Sequence, residues 1–472
     1  MTTRDVAAVV LAAGAGSRFG GGKLLASLAG RPVLQHVLDR VADAGLGDVV
    51  VVLGDDAGAI EEAIDWRLER RIRNPDPGRG LSSSVRIGID ALDDGVDGAL
   101  ILLGDQPLVS VEAMRALLDA PADEARPIAV PVYPRDGGRN PVLVGRDAFG
   151  LVGEVTGDRG LGPVIAAHPE LVREVRVDVP GNPDIDTSAD LVAVLEGSWA
   201  ARVRANAEQV DRFREVPDGT DFYAPVTGLF RADPTRTNEP ALDGLLRLVR
   251  PGERWLDIGA GAGRYALPIA RALAPSGGEV IAMEPSVSML DGLREIAAEH
   301  DIDNVHPVEA RWPPPDPTRY AADVALVAHV GYDIEAIGPF VGAMESAAGR
   351  LCVAMLMERQ PSSIADLFWP PVHGETRVAL PALPEFVELL RARGREVATR
   401  MLEREPRRFT SRNELEGFLR RQLWIEPGGA ADGRFRTALD DLIEHDPAGR
   451  VGLRDQRPLP IGIVTWAPGA DG

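Results

Sequence analysis

Short apolar runs alternate with amphipathic stretches along the first part of this 472-residue chain. The runs are rich in β-branched residues and are bounded by Gly, Asp or Pro, a pattern typical of buried strands. They lie at residues 6–11, 49–53, 99–103, 128–132 and 173–179, with helical patterns at 34–44, 111–118 and 189–195. Strand–helix alternation predicts a mostly parallel, doubly wound α/β sheet with ligands at the carboxyl ends of its strands.

A second alternation begins at Trp255, and its predicted strands lie at residues 255–258, 280–283, 323–328 and 350–356. Between the two parts, a charged helical stretch at 199–214 is followed by irregular sequence rich in Pro, Thr and Asp. The sequence therefore predicts two doubly wound, Rossmann-like domains, at residues 1–197 and 240–472. Residues 198–239 are expected to be a connector and an N-terminal extension of the second domain.

Composition narrows the classes of partner and compartment. A net charge of −21 argues against nucleic acid, because phosphate backbones bind through clustered Lys and Arg. A single cysteine, Cys352, excludes an internal disulfide and fits a reducing compartment. The first apolar run is too short for a membrane span. We therefore expect a cytoplasmic protein with small-molecule substrates and neither a nucleic-acid nor a membrane partner.

A glycine-rich loop follows the first predicted strand directly and contains Lys23, the only lysine among 51 basic residues. Backbone amides of such a loop can approach phosphates closely, while Arg18 and Lys23 neutralise their charge. The glycine spacing fits neither the dinucleotide fingerprint nor the P-loop. Alone, the loop could also be a turn without a chemical role.

Hydroxyl and carboxylate residues occur at three further points of the first domain. Ser82 and Ser83 stand near a predicted helix start, where they could contact a nucleotide or merely cap the helix. Asp105 follows a buried strand and is predicted to bind Mg²⁺, although a lone aspartate there is more often a turn residue. Asp186, before the last helix, offers a second metal carboxylate or a cap.

Six blocks of this part occur in the order LAAGAGSRFGGGK, GLSSSVRIGI, LGDQPLV, GRNPVLVGRDAF, GDRGLGPVI and PGNPDIDTSADL. Together they resemble the molybdenum-cofactor nucleotidyltransferases, particularly the cytidylyl branch. The resemblance implies that Lys23 and Arg18 hold a triphosphate, that Asp105 binds Mg²⁺ and that Asp186 assists. It implies that Asn140 lies near the acceptor. It also implies a frame around the nucleotide made by Leu11, Ala12, Ala13, Gly14, Gly16, Ser82 and Ser83.

By the same resemblance the nucleotide substrate is CTP, because alanine stands in LAAG where the guanylyl branch tends to have glycine. The implied acceptor is molybdopterin, and a molybdoenzyme or a second copy of the chain is the implied partner. GDRGLGPVI departs from the family's usual block, so another NTP and another phosphorylated metabolite stay open as alternatives. The acceptor's terminal phosphate would attack the α-phosphorus and expel pyrophosphate. With a second pKa of about 6 it is already ionised, so no general base is needed.

The second domain has its own strand, glycine loop and helix start. Asp257 ends the first strand, and the loop carries Gly259, Gly261 and Gly263 at a spacing that differs from the dinucleotide fingerprint. The next strand ends at Glu284, where a carboxylate can accept both hydroxyls of a ribose.

This pair of motifs resembles the first two of the class I S-adenosylmethionine-dependent methyltransferases. The resemblance implies that the loop residues hold the methionine moiety, that Glu284 and Ser286 take the ribose, and that Arg311 and Trp312 lie by the adenine. It places His329 near the methyl group. Taken singly, residues such as Trp312 and His329 are more often packing and hydrogen-bonding groups than catalytic ones. Residues 222–233 are expected to cover the cofactor, and 368–373 to help form an acceptor pocket of unnamed specificity.

These expectations describe a bifunctional enzyme that uses CTP with Mg²⁺ in one domain and S-adenosylmethionine in the other. A different class of function stays open, in which one domain binds its ligand without turnover and acts as a sensor.

Overall fold

The computed structural model describes residues 5–14, 16–135, 138–154, 157, 160–216, 232–454 and 456–469. The chain divides into two compact units, Met1–Ala193 and Val194–Gly472, each of which is described separately. Among the described residues, no helix combines the length and the apolar composition that a membrane span requires.

The N-terminal unit is built on a mixed seven-stranded sheet with helices on both faces. Its strands are β1 (Val6–Ala12), β2 (Ser27–Leu28), β3 (Arg31–Pro32), β4 (Val49–Leu53), β5 (Arg70–Arg73), β6 (Gly98–Leu103), β7 (Ile128–Val132), β8 (Val142–Gly145) and β9 (Val172–Arg176). Its helices are α1 (Val33–Asp43), α2 (Ala57–Ala63), α3 (Leu81–Asp90), α4 (Val111–Asp119) and α5 (Gly162–Ala167). β2 and β3 form a separate two-stranded ribbon.

The sheet order is β5-β4-β1-β6-β8-β7-β9, in which β5, β4, β1 and β6 are parallel and β8 is antiparallel to both neighbours. Alternate residues of β1 enter two different hydrophobic clusters, one against α1 and one against α3. Burial of both faces explains why the strand is apolar throughout instead of alternating. It also directs ligands to the carboxyl edge of the sheet, since the faces are covered.

One continuous helix, α6 (Ser188–Phe213), contains the division between the units. The sequence predicted a break at Gly197 and a connector from residue 198 onward. The helix instead runs through Gly197, which costs about 1 kcal/mol relative to alanine and is readily offset by packing. Its second half packs within the C-terminal unit, where the Trp199 indole donates to the Ile334 carbonyl at 2.9 Å and Asn206 bonds the Val378 carbonyl.

The C-terminal unit contains the remaining elements. Its helices are α7 (Pro240–Leu246), α8 (Ala266–Leu273), α9 (Val287–Glu299), α10 (Ile337–Ala347), α11 (Trp369–His373), α12 (Leu383–Ala392), α13 (Arg412–Leu423) and α14 (Asp432–Leu442). Its strands are β10 (Arg254–Ile258), β11 (Glu279–Glu284), β12 (Val305–Glu309), β13 (Ala322–Ala328), β14 (Ala348–Met357), β15 (Ala398–Leu402), β16 (Ile443–His445), β17 (Val451–Leu453) and β18 (Ile461–Trp466).

The second seven-stranded sheet has the order β12-β11-β10-β13-β14-β18-β15. Its first five strands are parallel, and β18 runs antiparallel between β14 and β15. Strand order reverses at β10, so the crevice beyond β10 and β13 is the point where doubly wound sheets bind ligands. The predicted fold class, two α/β domains with doubly wound sheets, is confirmed.

Candidate functional site

A cavity of about 380 Å³ opens at the carboxyl ends of β1 and β6 in the N-terminal unit. Most of the residues that the sequence assigned to the triphosphate and the metal line it together. They are Leu11, Ala12, Ala13, Gly14, Gly16, Arg18, Lys23, Asp105 and Asp186. Parallel strands bring their carboxyl ends to one edge, which is why residues so distant in sequence converge here.

Lys23 lies at the centre of this cavity and is only 9% exposed. Its ammonium donates to Asp105 Oδ2 and, at 3.3 Å, to Asp186 Oδ1. Asp186 Oδ2 also pairs with the guanidinium of Arg18 at 3.1 Å. Burial alone would lower the pKa of Lys23, but the two carboxylates outweigh it and raise the pKa above its ordinary value. Lys23 is therefore a fixed positive charge.

Gly16 makes room for that lysine. Its φ of +56° lies in the left-handed region, and a Cβ there would sit 3.2 Å from Lys23 Cγ. A larger residue would be strained by its backbone and would press on the stem of the lysine. The glycine loop thus positions the ammonium as well as exposing backbone amides.

Asp184 and Gln106 are neighbours of the carboxylate pair that the sequence did not single out. Gln106 Nε2 donates to Asp184 Oδ1 at 2.6 Å. Burial raises the pKa of Asp184, Gln106 opposes the shift, and Asp105 and Asp186 add to it. Asp184 therefore bonds Gln106, whereas Asp105 and Asp186 are the carboxylates that bond Lys23.

Two of the predicted nucleotide contacts lie elsewhere. Ser84, not Ser82 or Ser83, lines the cavity that contains Lys23. Ser82 and Ser83 line an adjacent cavity of about 440 Å³. Ser83 and Ser84 both accept hydrogen bonds from Asn74 Nδ2, at 2.8 and 3.0 Å. Successive helix positions differ by about 100° in direction, which a run of three serines conceals.

Asn140, predicted to lie near the acceptor, is outside the lining of the Lys23 cavity. Its carbonyl accepts a hydrogen bond from the Tyr133 hydroxyl at 2.6 Å, and Asn182 bonds the same hydroxyl at 3.4 Å. Burial raises the pKa of Tyr133 to about 12, so this hydroxyl stays protonated as a donor.

The carboxylates of Asp105 and Asp186 suit a divalent cation. Both bond the single Nζ of Lys23, so their oxygens are close enough to share one small cation. Among the described residues, no group of three or more His, Cys, Asp or Glu side chains could hold a metal. Two carboxylates match Mg²⁺, which usually keeps waters and takes its other ligands from substrate phosphates.

In the C-terminal unit, the glycine loop follows β10 and is hydrogen-bonded to the end of β11. The Gly261 amide donates to Glu284 Oε2 at 3.0 Å, and Ser286 N donates to Oε1 at 2.9 Å. Gly259 N bonds the Met283 carbonyl at 2.8 Å, and its φ of +75° excludes most other residues. A Cβ at Gly259 would also lie 2.6 Å from Val330 Cγ2. The loop is therefore held closely against the end of β11 and against Val330, which follows β13.

Asp257 is 2% exposed, and its Oδ1 has no hydrogen-bond partner within the part of the chain that the structure describes. Burial, followed by the nearby Glu284 carboxylate, raises the pKa of Asp257 to about 7, against a hydrogen bond from the Ala266 backbone. A buried carboxylate oxygen without a donor is uncommon in a folded protein. It indicates a place where a ligand with a cationic or N–H group would be stabilised.

The residues assigned to the ribose and adenine differ in exposure. Ser286 caps α9, its Oγ accepting from the Met289 amide at 3.3 Å. Trp312 is 7% exposed, and its indole donates to the Phe340 carbonyl at 3.2 Å. Arg311 is exposed. These contacts give Ser286 and Trp312 structural roles whether or not a cofactor binds.

His329 follows β13 with a φ of +57°, a strained conformation for a residue with a Cβ. Its Nδ1 is buried and has no hydrogen-bond partner among the described residues, and its ring centroid lies 6.3 Å from that of Tyr265. Burial, with Arg404 and Arg264, lowers the pKa of His329 to about 4. The imidazole is thus neutral near pH 7. Residues 222–231 of the predicted covering segment lie outside the described residues.

The cavity of the N-terminal unit thus combines a buried lysine with a pair of carboxylates at the carboxyl edge of an α/β sheet. Residues 8–172, which lie within this unit, match the family model described as the MobA-like NTP transferase domain.

Curated relatives and solved structures resemble parts of the chain. The bifunctional protein GlmU of Rhizorhabdus wittichii is 28% identical over 272 residues, which are 49% of this chain and 60% of the relative. The chain thus spans less than two thirds of that relative's length. The Rv0371c structure from Mycobacterium tuberculosis H37Rv is 29% identical, with a TM-score of 0.38, and the match covers 41% of this chain and 100% of that one.

The precorrin-6y C5,15-methyltransferase structure from Geobacter metallireducens is 13% identical, with a TM-score of 0.30. That match covers 50% of this chain and 92% of the other. At these TM-scores neither structural likeness supports a functional inference.

Proposed function

We propose that the N-terminal unit transfers a nucleotidyl group, CMP from CTP, to a phosphorylated acceptor, and that the acceptor is molybdopterin. The observation that carries this proposal is the meeting of Lys23, Asp105 and Asp186 in one cavity beside the glycine loop. One buried ammonium and two converging carboxylates suit a triphosphate accompanied by a divalent cation.

In this proposal, Asp105 and Asp186 hold Mg²⁺, which neutralises charge on the phosphates. A ligand that occupies both carboxylates removes the partners of Lys23, whose ammonium can then bind a phosphate oxygen. Arg18 is exposed at the cavity mouth and can contact the triphosphate from outside. Catalysis is then positioning plus charge stabilisation, because the acceptor phosphate needs no general base.

The preference for CTP rests on the alanine at position 13, which lines the cavity and is 6% exposed. A methyl group there narrows the space that a larger purine would need. The test is pyrophosphate release with CTP or GTP, Mg²⁺ and molybdopterin. The assignment is supported if pyrophosphate is released with CTP but not with GTP, and only when molybdopterin is the acceptor. Equal release with another phosphorylated acceptor supports nucleotidyl transfer but removes molybdopterin.

We propose that the C-terminal unit binds S-adenosylmethionine and transfers its methyl group. The supporting observation is the unpartnered Oδ1 of Asp257 next to a glycine loop and the Glu284 carboxylate. The methionine ammonium of the cofactor would supply Asp257 with its missing donor. Glu284, at the end of the next strand, is positioned for ribose hydroxyls.

S-adenosylmethionine supplies an electrophilic methyl group, and the residues of this unit would orient it. The neutral imidazole of His329 sits beyond the adjacent strand and adds no positive charge that would repel a sulfonium. Calorimetry with S-adenosylmethionine tests the assignment, and Asp257→Ala should abolish the heat of binding. Binding without any methyl transfer would make this unit a ligand sensor.

A further inference from the structure

A separate cavity of about 310 Å³ lies in the C-terminal unit, beyond the end of β14. Met357, the last residue of β14, pairs with Ile461, the first residue of β18, and the Glu358 amide donates to the Pro460 carbonyl at 2.9 Å. The segments that leave β14 and enter β18 form the cavity walls. None of the residues assigned above to S-adenosylmethionine lines it.

Two guanidinium groups and one carboxylate line this cavity. Arg359 and Arg457 lie within ion-pair distance of no carboxylate in the part of the chain that the structure describes, although the charge of Arg359 acts on Asp366 to lower its pKa against the effect of burial. Arg359 donates to the Pro458 carbonyl at 3.2 Å, which leaves most of its donors available. The third charged residue of the lining, Asp366, lies 3.5 Å from the buried guanidinium of Arg377. The cavity is therefore positive, in a chain whose net charge is −21.

Within the part of the chain that the structure describes, three polar atoms of the lining are buried without a hydrogen-bond partner: Ser363 Oγ, Asp366 Oδ1 and Gln456 Oε1. Ser363 is 6% exposed, and its Oγ makes no hydrogen bond. Gln456 Oε1, on the opposite segment, is also unpartnered. A buried polar atom without a hydrogen bond is destabilising, so three of them on one cavity indicate a ligand that would bond them. Because Gln456 Oε1 can only accept, that ligand must carry an O–H or N–H donor.

We propose that this cavity binds a small anionic ligand, a carboxylate or a phosphate ester, that also carries a hydroxyl or amino group. Arg359 and Arg457 hold the anionic group, and Ser363 and Gln456 bond the hydroxyl or amine. Leu367, which is 54% exposed, and Leu459 offer an apolar wall for a short carbon chain. A volume of this size is at the small end of ligand cavities and fits a compact metabolite.

Malate and succinate provide a matched pair of probes, since both are four-carbon diacids and only malate has a hydroxyl group. Calorimetry on the full chain should show that malate binds more tightly than succinate. Arg457→Ala should weaken both at least about tenfold, the loss expected for one charge-assisted hydrogen bond. Arg457 is exposed, so this variant should fold normally.

Ser363→Ala should reduce the preference for malate over succinate without lowering the unliganded melting temperature, because it removes an unsatisfied buried hydroxyl. Arg294→Ala is the matched control, since Arg294 is a half-exposed arginine of α9 that pairs with Asp291 away from the cavity. Glycerol 3-phosphate against inorganic phosphate repeats the comparison for phosphate esters. Equal affinities in the wild type and Arg457→Ala would mean that the probe binds elsewhere, and no saturable heat with any probe would mean that the cavity holds only water. Either result would overturn the proposal.

The source of the ligand is settled by repeating the malate titration with saturating S-adenosylmethionine. A change in the affinity for malate assigns the anion site to the acceptor of the methyl group, and this assignment rests on the proposed methyltransferase function. An unchanged affinity assigns it to a separate ligand. Both results leave the anion site in place, whereas a failure of S-adenosylmethionine to bind counts against the methyltransferase proposal alone.

Discussion

The Lys23 ammonium and the Asp105 carboxylate form a hydrogen-bonded ion pair inside the cavity of the N-terminal unit. Asp186 completes the contact from a third segment of the chain, at 3.3 Å from the same ammonium. Each partner satisfies the others when no ligand is present. A bound cation would replace the Lys23 ammonium beside the two carboxylates, and a triphosphate would replace the carboxylates beside Lys23.

Lys23→Ala should lower pyrophosphate release by about two to three orders of magnitude, because one charged contact to the transition state is lost. Lys23→Arg is the charge-preserving control, and its wider planar group should restore only part of the rate. Binding of S-adenosylmethionine should be the same in all three proteins. Near-normal release by the alanine variant would remove Lys23 from the reaction.

Asp105→Asn should shift the Mg²⁺ dependence of activity to higher concentration, since an amide oxygen is a weaker ligand for a hard cation. Asp184→Asn is the matched control, because Asp184 bonds Gln106 instead of Lys23. A Mg²⁺ titration of pyrophosphate release distinguishes the two. The metal assignment fails if both variants titrate like the wild type.

Ser84→Ala should weaken nucleotide binding by up to about tenfold, the effect of one lost hydrogen bond. Ser82→Ala and Ser83→Ala should have smaller effects, because those residues line the adjacent cavity. Calorimetry with CTP and Mg²⁺ on the three variants measures this order. A larger effect of Ser82→Ala or Ser83→Ala than of Ser84→Ala would support the nucleotide contacts that the sequence predicted.

Asp257 should make the stability of the C-terminal unit depend on pH. With a pKa of about 7 in the folded state, it binds its proton more tightly than in the unfolded chain. The stability that the protonated Asp257 contributes is fully present below about pH 4 and is lost as the pH rises to about 7. Over this range the free energy of unfolding falls by at most about 1.4 kcal/mol for each pH unit. Denaturation of the wild type and Asp257→Asn at several pH values should show that the stability of the wild type falls relative to that of the variant as the pH rises, because the lowered pKa of His329 acts equally in both proteins. Parallel curves would contradict the raised pKa.

The two units should fold as separate fragments, with a cut between Ala193 and Val194. Residues 194–472 keep Trp199, which is 4% exposed, and should bind S-adenosylmethionine. A fragment starting at Ala207 loses this buried tryptophan and the Arg202–Glu385 pair, and should be several kcal/mol less stable. Melting temperatures of the two fragments test the difference. Aggregation of residues 1–193 would show that this unit needs the rest of the chain.

The sequence was sufficient for the fold class and for the loops that follow the first strand of each sheet. Apolar runs such as β1 and glycine loops are local signals, and parallel strands bring their ends to one edge. The position of β18 between β14 and β15 was not predictable, because strand neighbours are decided by contacts between residues far apart in the sequence. The continuity of α6 through Gly197 depends on packing that no local pattern reports.

The candidate sites divide in the same way. Residue types and their order indicated Lys23, Asp105 and Asp257, but only coordinates distinguish Ser84 from its two serine neighbours. Likewise, only the structure shows that the Trp312 indole donates to the Phe340 carbonyl, a structural contact that leaves the predicted place of Trp312 beside the adenine untested. The anion cavity had no sequence signal, since Arg359 and Arg457 are two ordinary members of an arginine-rich chain.

Lys23 is the only lysine of the chain, so reagents that acylate primary amines have one side-chain target, besides the terminal amine. Because its ammonium is buried, protonated and ion-paired, Lys23 should react slowly, and acylation of a side chain would report that its pair with Asp105 has opened. Occupancy of the cavity by a ligand could then be followed by mass spectrometry, peptide by peptide, in an unpurified mixture.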